Sequence, residues 1–444
     1  MAKISGVDFR IVQVNSKPQF LIAAGNSGSG KTTITLGLLR ALQNRGINVQ
    51  SFKVGPDFID PLHHRHASGK TSINLDIFLA GEEGVVEEYG RYAKSADAVI
   101  VEGVMGLFDG SVRDTASSAH VAKLLGIPVI VVLDASSMAY TAAAILHGLT
   151  TFDSNLTIAG VIFNFCGSEG HAEMLRDAAK CVGVKCLGCI PRAEMVSVKS
   201  RHLGLNYEAA DEEVYSTMAR LMEQHLDIDE LLKHRSVFNH ISISEPTKLG
   251  TLRIAVARDE AFCFYYEHNL RLFSELGEVL FFSPLHDSCC PDADLVYLPG
   301  GYPELFAEQL AANFSMKESL LALQRRGVKI FGECGGMMYM GRTLITSDGE
   351  IHAMSALLPL ETTMSGSGFA LGYRRISRGE EVYYGHEFHY SSFSSKPECA
   401  SSFCVEAAAG NRLDIPMVVQ NGCFGSYVHF YFRSANDVKS LMGL

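Results

Sequence analysis

The chain has 444 residues, 47% of them hydrophobic, and a formal net charge of −11. That length exceeds the usual size of one hydrophobic core and points to two domains, while the acidic balance argues against nucleic acid as the main partner. No stretch approaches the roughly 20 uninterrupted apolar residues of a membrane helix. The N-terminus lacks an apolar signal core, so the 11 cysteines are expected to be free thiols in the cytoplasm.

The first predicted strand, residues 20–24, ends at Gly-Asn-Ser-Gly-Ser-Gly-Lys-Thr-Thr, residues 25–33. This run fits G-x-x-x-x-G-K-[ST] at Gly25, Gly30, Lys31 and Thr32. Apolar residues at Ile34, Leu38, Leu39 and Leu42 then keep helical spacing until Gly46. Strand, glycine loop and helix start together aim backbone N–H groups at phosphate. Gly25, Gly28 and Gly30 are expected to let the backbone approach ATP, with Thr33 beside it. Lys31 should reach the β and γ phosphates, and Thr32 should ligate Mg²⁺.

Further apolar runs at 48–52, 98–101, 127–133 and 158–163 alternate with amphipathic stretches. Unbroken apolar strands between helices predict a parallel sheet covered on both faces. Glu102 closes one such strand, at the end where this sheet type binds ligands, and is expected to hold the metal rather than a surface salt bridge. Lys53 and Asp57 also follow a strand and should face the same crevice. His63, His64 and His66 follow Asp-Pro and are expected on a solvated or substrate-facing loop. Cys186 and Cys189 have C-x-x-C spacing, but no second pair or histidine stands beside them to make a zinc site. After the strand ending at Ile190, Arg192, Lys199, Arg201 and His202 form a basic cluster. Polar text from 227 to 250 breaks the pattern, which places a domain boundary near 245 and domains at 1–245 and 246–444.

The second half opens with a strand at 252–257. Strands at 295–298 and 328–331 each run into a glycine-rich turn. The turn Gly-Glu-Cys-Gly-Gly, 332–336, resembles a nucleophile elbow, which exposes a side chain and places following N–H groups beside it. Cys334 would attack the side-chain amide of glutamine, forming a thioester and releasing ammonia. His386, His389 and His429 are the candidate bases. A phosphate site that activates and a thiol that releases ammonia, in one chain, read as an ATP-driven ligase fed by its own amidase.

Several idiosyncratic stretches carry a resemblance. They are Lys-Val-Gly-Pro-Asp-Phe-Ile-Asp-Pro (53–61), Val-Glu-Gly-Val-Met-Gly-Leu-Phe-Asp-Gly (101–110), Arg-His-Leu-Gly-Leu (201–205), Leu-Pro-Gly-Gly-Tyr-Pro-Glu (298–304), Gly-Glu-Cys-Gly-Gly-Met-Met-Tyr-Met (332–340) and Gly-His-Glu-Phe-His-Tyr-Ser (385–391). In this order they resemble the cobyrinate a,c-diamide synthase family over nearly the whole chain. The resemblance implies an α/β protein of two domains: a P-loop, dethiobiotin-synthetase-like ATP domain and a class I glutamine amidotransferase (flavodoxin-like) domain. It implies ATP- and glutamine-dependent amidation of the c and a acetates of cobyrinate through acyl phosphates, in cobalamin biosynthesis, with Mg²⁺ as cofactor. It also implies an oxyanion hole at Gly301 and Gly335, a base at His429 and a metal or substrate contact at Asp57. A substrate bearing several carboxylates needs cationic donors, for which Arg192, Arg201 and His202 of the basic cluster are the candidates, the alternative being an ordinary basic loop. Asn164 matches where related ligases read adenine, although a buried-strand asparagine can equally be structural. His389 is either a substrate or interface residue or a hydrogen-bonded core histidine, the core reading being favoured. Class I amidotransferases usually continue His-x-Glu, yet residue 431 is tyrosine, so the group that orients His429 is unidentified. A homodimer stays open. The alternatives are the similar enzyme that amidates nickel-sirohydrochlorin, then cobyric acid synthase. A partitioning-type P-loop ATPase is the rival of another class, although such relatives carry lysine where this chain has Asn26 and lack an amidase domain.

Overall fold

In the computed structural model, which describes residues 10–192, 212–242, 250–366, 369–397 and 403–444, β1 (Arg10–Ala24) runs through the middle of the first sheet. It sends Leu21 and Ala23 into one buried cluster and Phe20, Ile22 and Ala24 into another. That strand period of two buries both faces of the sheet. Along the chain follow α1 (Lys31–Asn44), β2 (Val49–Val54), α2 (Ile59–Ser68), β3 (Ile73–Leu75), α3 (Ile77–Ala93), β4 (Ala98–Glu102) and α4 (Ser118–Leu125). Then come β5 (Val129–Asp134), α5 (Thr141–Thr151), β6 (Ile158–Cys166), α6 (Glu169–Cys181), β7 (Cys186–Pro191), α7 (Glu212–His225), the short α8 (Ile228–Leu231) and β8 (Arg235–Ser242). The spatial order is β3-β2-β4-β1-β5-β6-β7, all parallel, with β8 added to β1. Side-chain caps start four of these helices: Asp76 accepts from the Leu79 N–H, Ser117 from His120, Ser168 from His171 and Asp227 from Glu230.

Two local expectations need correcting. The polar text after residue 227 contains a strand, β8, whose backbone pairs antiparallel with the first half of β1 from Arg10↔Ser242 to Pro18↔Arg235. Its residues, Arg-Ser-Val-Phe-Asn-His-Ile-Ser, lack the apolar run by which the other strands announce themselves. The histidine tract is not a loop either. It lies on α2, where Asp57 Oδ1 accepts the N–H groups of Ile59 and Asp60 at 2.8 and 3.1 Å, and Pro61 sits in the first turn, where no N–H is needed.

The phosphate loop depends on one glycine above the others. Gly30 has a φ of 89°, and a Cβ there would lie 2.1 Å from Asn164 Nδ2. Gly30→Ala is therefore expected to cost about 1–3 kcal/mol through left-handed strain and the clash. Calorimetric unfolding should show a lowered transition; an unchanged one would contradict this packing.

The described residues from Gly250 onward form a second compact unit. It holds β9 (Leu252–Ala257), α9 (Glu267–Leu276), β10 (Gly277–Phe282), β11 (Leu295–Leu298), α10 (Ala307–Ala312), α11 (Phe314–Arg325), β12 (Lys329–Glu333) and α12 (Gly335–Met340). Its sheet runs β10-β9-β11-β12, then Cys423–Ser426 in parallel, closed by antiparallel Val418–Gln420. Numbered along the unit, the parallel strands read 2-1-3-4-5, the flavodoxin-like order. Alternate residues again divide between two cores, Ala255, Val296 and Ile330 facing one way and Ile254, Tyr297 and Phe331 the other. A five-stranded antiparallel sheet includes Ala370–Arg378, Glu381–His389 and His429–Tyr431. Among the described residues, no helix is long and apolar enough to cross a membrane, and the cysteines are free.

Candidate functional site

The first constellation lies at the carboxyl ends of β1, β2 and β4. Parallel pairing puts Lys53 beside Glu102 in register, and α1 starts with Lys31 and Thr32 directly after the loop. Thr32 Oγ1 donates to Glu102 Oε1 at 2.6 Å, and Lys53 Nζ reaches the same oxygen at 2.9 Å. Lys53 also donates to Asp60 Oδ2 at 2.5 Å. Lys31 Nζ donates to the Met105 carbonyl at 2.7 Å, so it sits under the loop that follows β4.

Two residues complete this cluster without having been expected there. His64, wholly buried, bonds the other Glu102 oxygen, Oε2, at 2.6 Å and Ser72 Oγ at 3.0 Å. Asp60 is the second acid on Lys53. Burial alone would raise the pKa of Glu102, but the Lys53 ammonium and the bonds from His64 and Thr32 hold it well below the usual carboxylate range. Burial, then the neighbouring Asp57, pushes Asp60 up to about 6. Lys53 stays protonated, because Asp60, Glu102 and Asp57 outweigh the burial that opposes its charge. The only sequence signal for Asp60 and His64 was their spacing from each other: four residues apart on a helix, they share one face.

Among the described residues, no group of three or more His, Cys, Asp or Glu side chains is arranged to hold a metal ion. Thr32 and Glu102 are instead a hydroxyl and carboxylate pair, the donor set that magnesium takes when phosphate and water supply its remaining oxygens. Gly25 and Gly28 are exposed, and a Cβ on either would meet nothing within 4 Å. Thr33 is half-buried on α1. Asn164 donates through Nδ2 to the Ser29 carbonyl at 3.0 Å and accepts the Phe165 N–H through Oδ1, so its amide holds the phosphate loop. Arg192 is exposed just past β7. Arg201 and His202 lie outside the described residues.

The second constellation is built on β12. Cys334 follows it with φ 45° and ψ −109°, a left-handed backbone that few side chains adopt without need. Burial, then Glu304, raises the thiol pKa, while the Gly335 N–H works the other way. Gly301 and Gly335 approach so closely that a Cβ on Gly335 would lie 3.0 Å from the Gly301 nitrogen. Next to Gly301, a Cβ on Gly300 would lie 2.2 Å from Cε1 of His429, so that imidazole rests on bare backbone. Gly300, Gly301, Gly335, Cys334 and His429 thus share one neighbourhood. Burial, with His386 and His389 adding to it, pushes the His429 pKa well below its ordinary value and leaves the ring neutral. A protonated thiol near a neutral imidazole and two glycine backbones is a resting arrangement for general-base activation and oxyanion binding.

The other histidines have separate engagements. His386 stacks on His429 with centroids 5.1 Å apart and bonds Tyr266 OH through Nδ1 at 2.8 Å. His389 stacks on Tyr427 at 3.9 Å and bonds the Ser391 carbonyl at 2.8 Å.

Comparison with known proteins gives matches across both units. Residues 20–205 match the CobQ/CobB/MinD/ParA nucleotide binding domain, and residues 253–437 match the CobB/CobQ-like glutamine amidotransferase domain. The hydrogenobyrinate a,c-diamide synthase of Brucella abortus is 41% identical over 92% of this chain and 97% of its own. The cobyrinate a,c-diamide synthase of Archaeoglobus fulgidus is 38% identical over 95% of this chain and 96% of its own. That of Listeria innocua is 38% identical over 93% and 96%.

Proposed function

The chain belongs to the cobyrinate and hydrogenobyrinate a,c-diamide synthase family, whose members are glutamine amidotransferase ligases. On that premise we propose that it amidates the c and then the a acetate of cobyrinate, with ATP and glutamine as co-substrates, in cytoplasmic cobalamin biosynthesis. The observation that carries the reading is a complete phosphate loop and a Cys334 elbow within one chain.

In the proposed reaction an acetate oxygen attacks the γ-phosphorus of ATP, and ADP leaves as the acyl phosphate forms. Ammonia then adds to the acyl carbon and inorganic phosphate departs. Positioning and charge neutralisation do most of this work, which suits Lys31 on the phosphates and Lys53 beside Glu102. Thr32 and Glu102 would hold Mg²⁺, which when bound neutralises phosphate charge; Asp57 is a further candidate. Arg192, Arg201 and His202 are proposed to meet the substrate's remaining carboxylates, for which arginine forks are suited.

The ammonia comes from glutamine. His429 takes the thiol proton as Cys334 Sγ attacks the amide carbon, and the Gly301 and Gly335 N–H groups hold the oxyanion. Collapse to the thioester expels ammonia, and water then releases glutamate.

Mass spectrometry after incubation with ATP, glutamine and each acceptor tests the substrate. Cobyrinate should give products lighter by about 1 dalton per amidation, as N–H₂ replaces O–H. Hydrogenobyrinate is the second acceptor to assay, since relatives at 41% identity carry its name. No change with either, alongside conversion of nickel-sirohydrochlorin, would overturn the assignment. ATP turnover indifferent to acceptor and glutamine would point to a switch-type ATPase.

A further inference from the structure

The glutaminase reading leaves His429 without the glutamate two residues on that would orient it. Tyr431 occupies that position and is packed elsewhere, its ring stacked on His268 at 4.5 Å and edge-on to Tyr266 at 5.1 Å. The segment that delivers His429 is nevertheless held at both ends, by the last residue of β12 and the one that follows it. Before the histidine, the Cys334 N–H donates to the Ser426 carbonyl at 2.7 Å. After it, the Phe430 N–H donates to Glu333 Oε1 at 2.9 Å. Glu333 is 1% exposed, and its other oxygen accepts the Tyr297 hydroxyl, itself wholly buried on β11, at 2.7 Å.

We propose that Glu333 is the positioning residue for His429, acting through the Phe430 backbone in place of the carboxylate missing at 431. The geometry explains why a buried acid stands directly before the nucleophile. An acid with no ion pair is costly to bury, and burial pushes the Glu333 pKa up to about 8; here its carboxyl group ties the strand that carries the base to the strand that leads into the thiol. Tyr297 fixes the carboxyl group, the carboxyl group fixes Phe430, and Gly300 leaves the room into which the neighbouring imidazole settles. Because Glu333 acts on the base and not on glutamine, its loss should appear in turnover rather than in binding. This inference rests on the glutaminase reading of Cys334 and His429.

The test is the steady-state glutaminase reaction of Glu333→Ala, Glu333→Gln and Tyr297→Phe in the full chain. Rates of Cys334 alkylation by iodoacetamide across pH are measured in parallel. Glu333→Ala should lower kcat about 100-fold, the scale expected for a catalytic group displaced by about 1 Å, with KM for glutamine little changed. It should also slow alkylation. Glu333→Gln, whose amide oxygen can still accept from Phe430, should recover at least about a tenth of wild-type kcat, and Tyr297→Phe should fall between the two. Ammonia-supported synthesis should persist in all three. If Glu333→Ala will not fold, Tyr297→Phe carries the test, since it deletes one hydroxyl and leaves the carboxyl group in place. Wild-type kcat in the alanine variant, equal damage in Ala and Gln, or an effect on KM alone would overturn the proposal. If Cys334→Ser and His429→Ala also leave glutaminase intact, the reading beneath it fails. If those two abolish it and Glu333→Ala does not, only the positioning role is lost.

Discussion

Cys334→Ser is expected to cut glutamine-supported amidation by at least about 1,000-fold while ammonium salts at alkaline pH still support it. The reason is a division of labour. On the proposed reading Cys334 only generates ammonia, and activation of the acetate belongs to Lys31, Lys53 and their neighbours in the other unit. The substitution is close to isosteric, so the strained elbow at φ 45° and the contacts of Gly335 should survive. What changes is the proton. A thiol has an ordinary pKa of about 8.5 and burial raises it here, yet it remains far easier to ionise than a hydroxyl. The neutral His429 can accept a proton from sulfur as the amide is attacked, and far less readily from serine oxygen. Alkaline conditions matter for the control, because ammonium is protonated at neutral pH and cannot act as a nucleophile. Product mass with each nitrogen source is the measurement. Glutamine-dependent synthesis retained by the serine variant would remove Cys334 from the reaction.

The residues that could be read from the chain are those whose signal is local. Lys31 and Thr32 belong to one short motif at the start of α1, and Cys334 sits in a glycine-rich turn at the end of an apolar strand. His64 and Glu333 gave no such signal, because each is defined by a partner distant along the chain, and Asp60 is read only once α2 turns it back onto Lys53. His64 matters because it bonds Glu102, and Glu333 because it bonds Phe430; no spacing rule connects those pairs. The same distinction separates the strands. Those buried on both faces appear as apolar runs, whereas β8 is recognised by its pairing with β1. Gly300 is a third kind of case. Beside Gly301 it resembles turn chemistry, and only the position of the His429 ring shows that a side chain could not be tolerated there.

Lys31→Ala should abolish synthesis with glutamine and with ammonia alike, a loss on the order of 1,000-fold or more, as expected when a cation on a transferring phosphoryl group is removed. The lysine starts α1 directly behind a loop whose glycines leave room for phosphate, and its ammonium already lies within the site, bonded to the Met105 carbonyl. On the proposed mechanism, the γ-phosphoryl group would then lose the positive charge that offsets its developing negative charge, and the acyl phosphate would not form. Unfolding should change far less than activity, since what is lost is the lysine's bonds to the Met105 carbonyl at 2.7 Å and the Asn26 carbonyl at 3.4 Å, charge-assisted bonds of about 1.5–3 kcal/mol each at most. A loss of activity well beyond any shift in the thermal transition therefore separates chemistry from folding. Glutamine hydrolysis should survive, because its thiol, base and oxyanion donors all lie in the second unit. The decisive comparison is ammonia-supported synthesis, which bypasses Cys334 altogether. If that reaction ran at the wild-type rate in Lys31→Ala, the phosphate loop would not be where the acetate is activated.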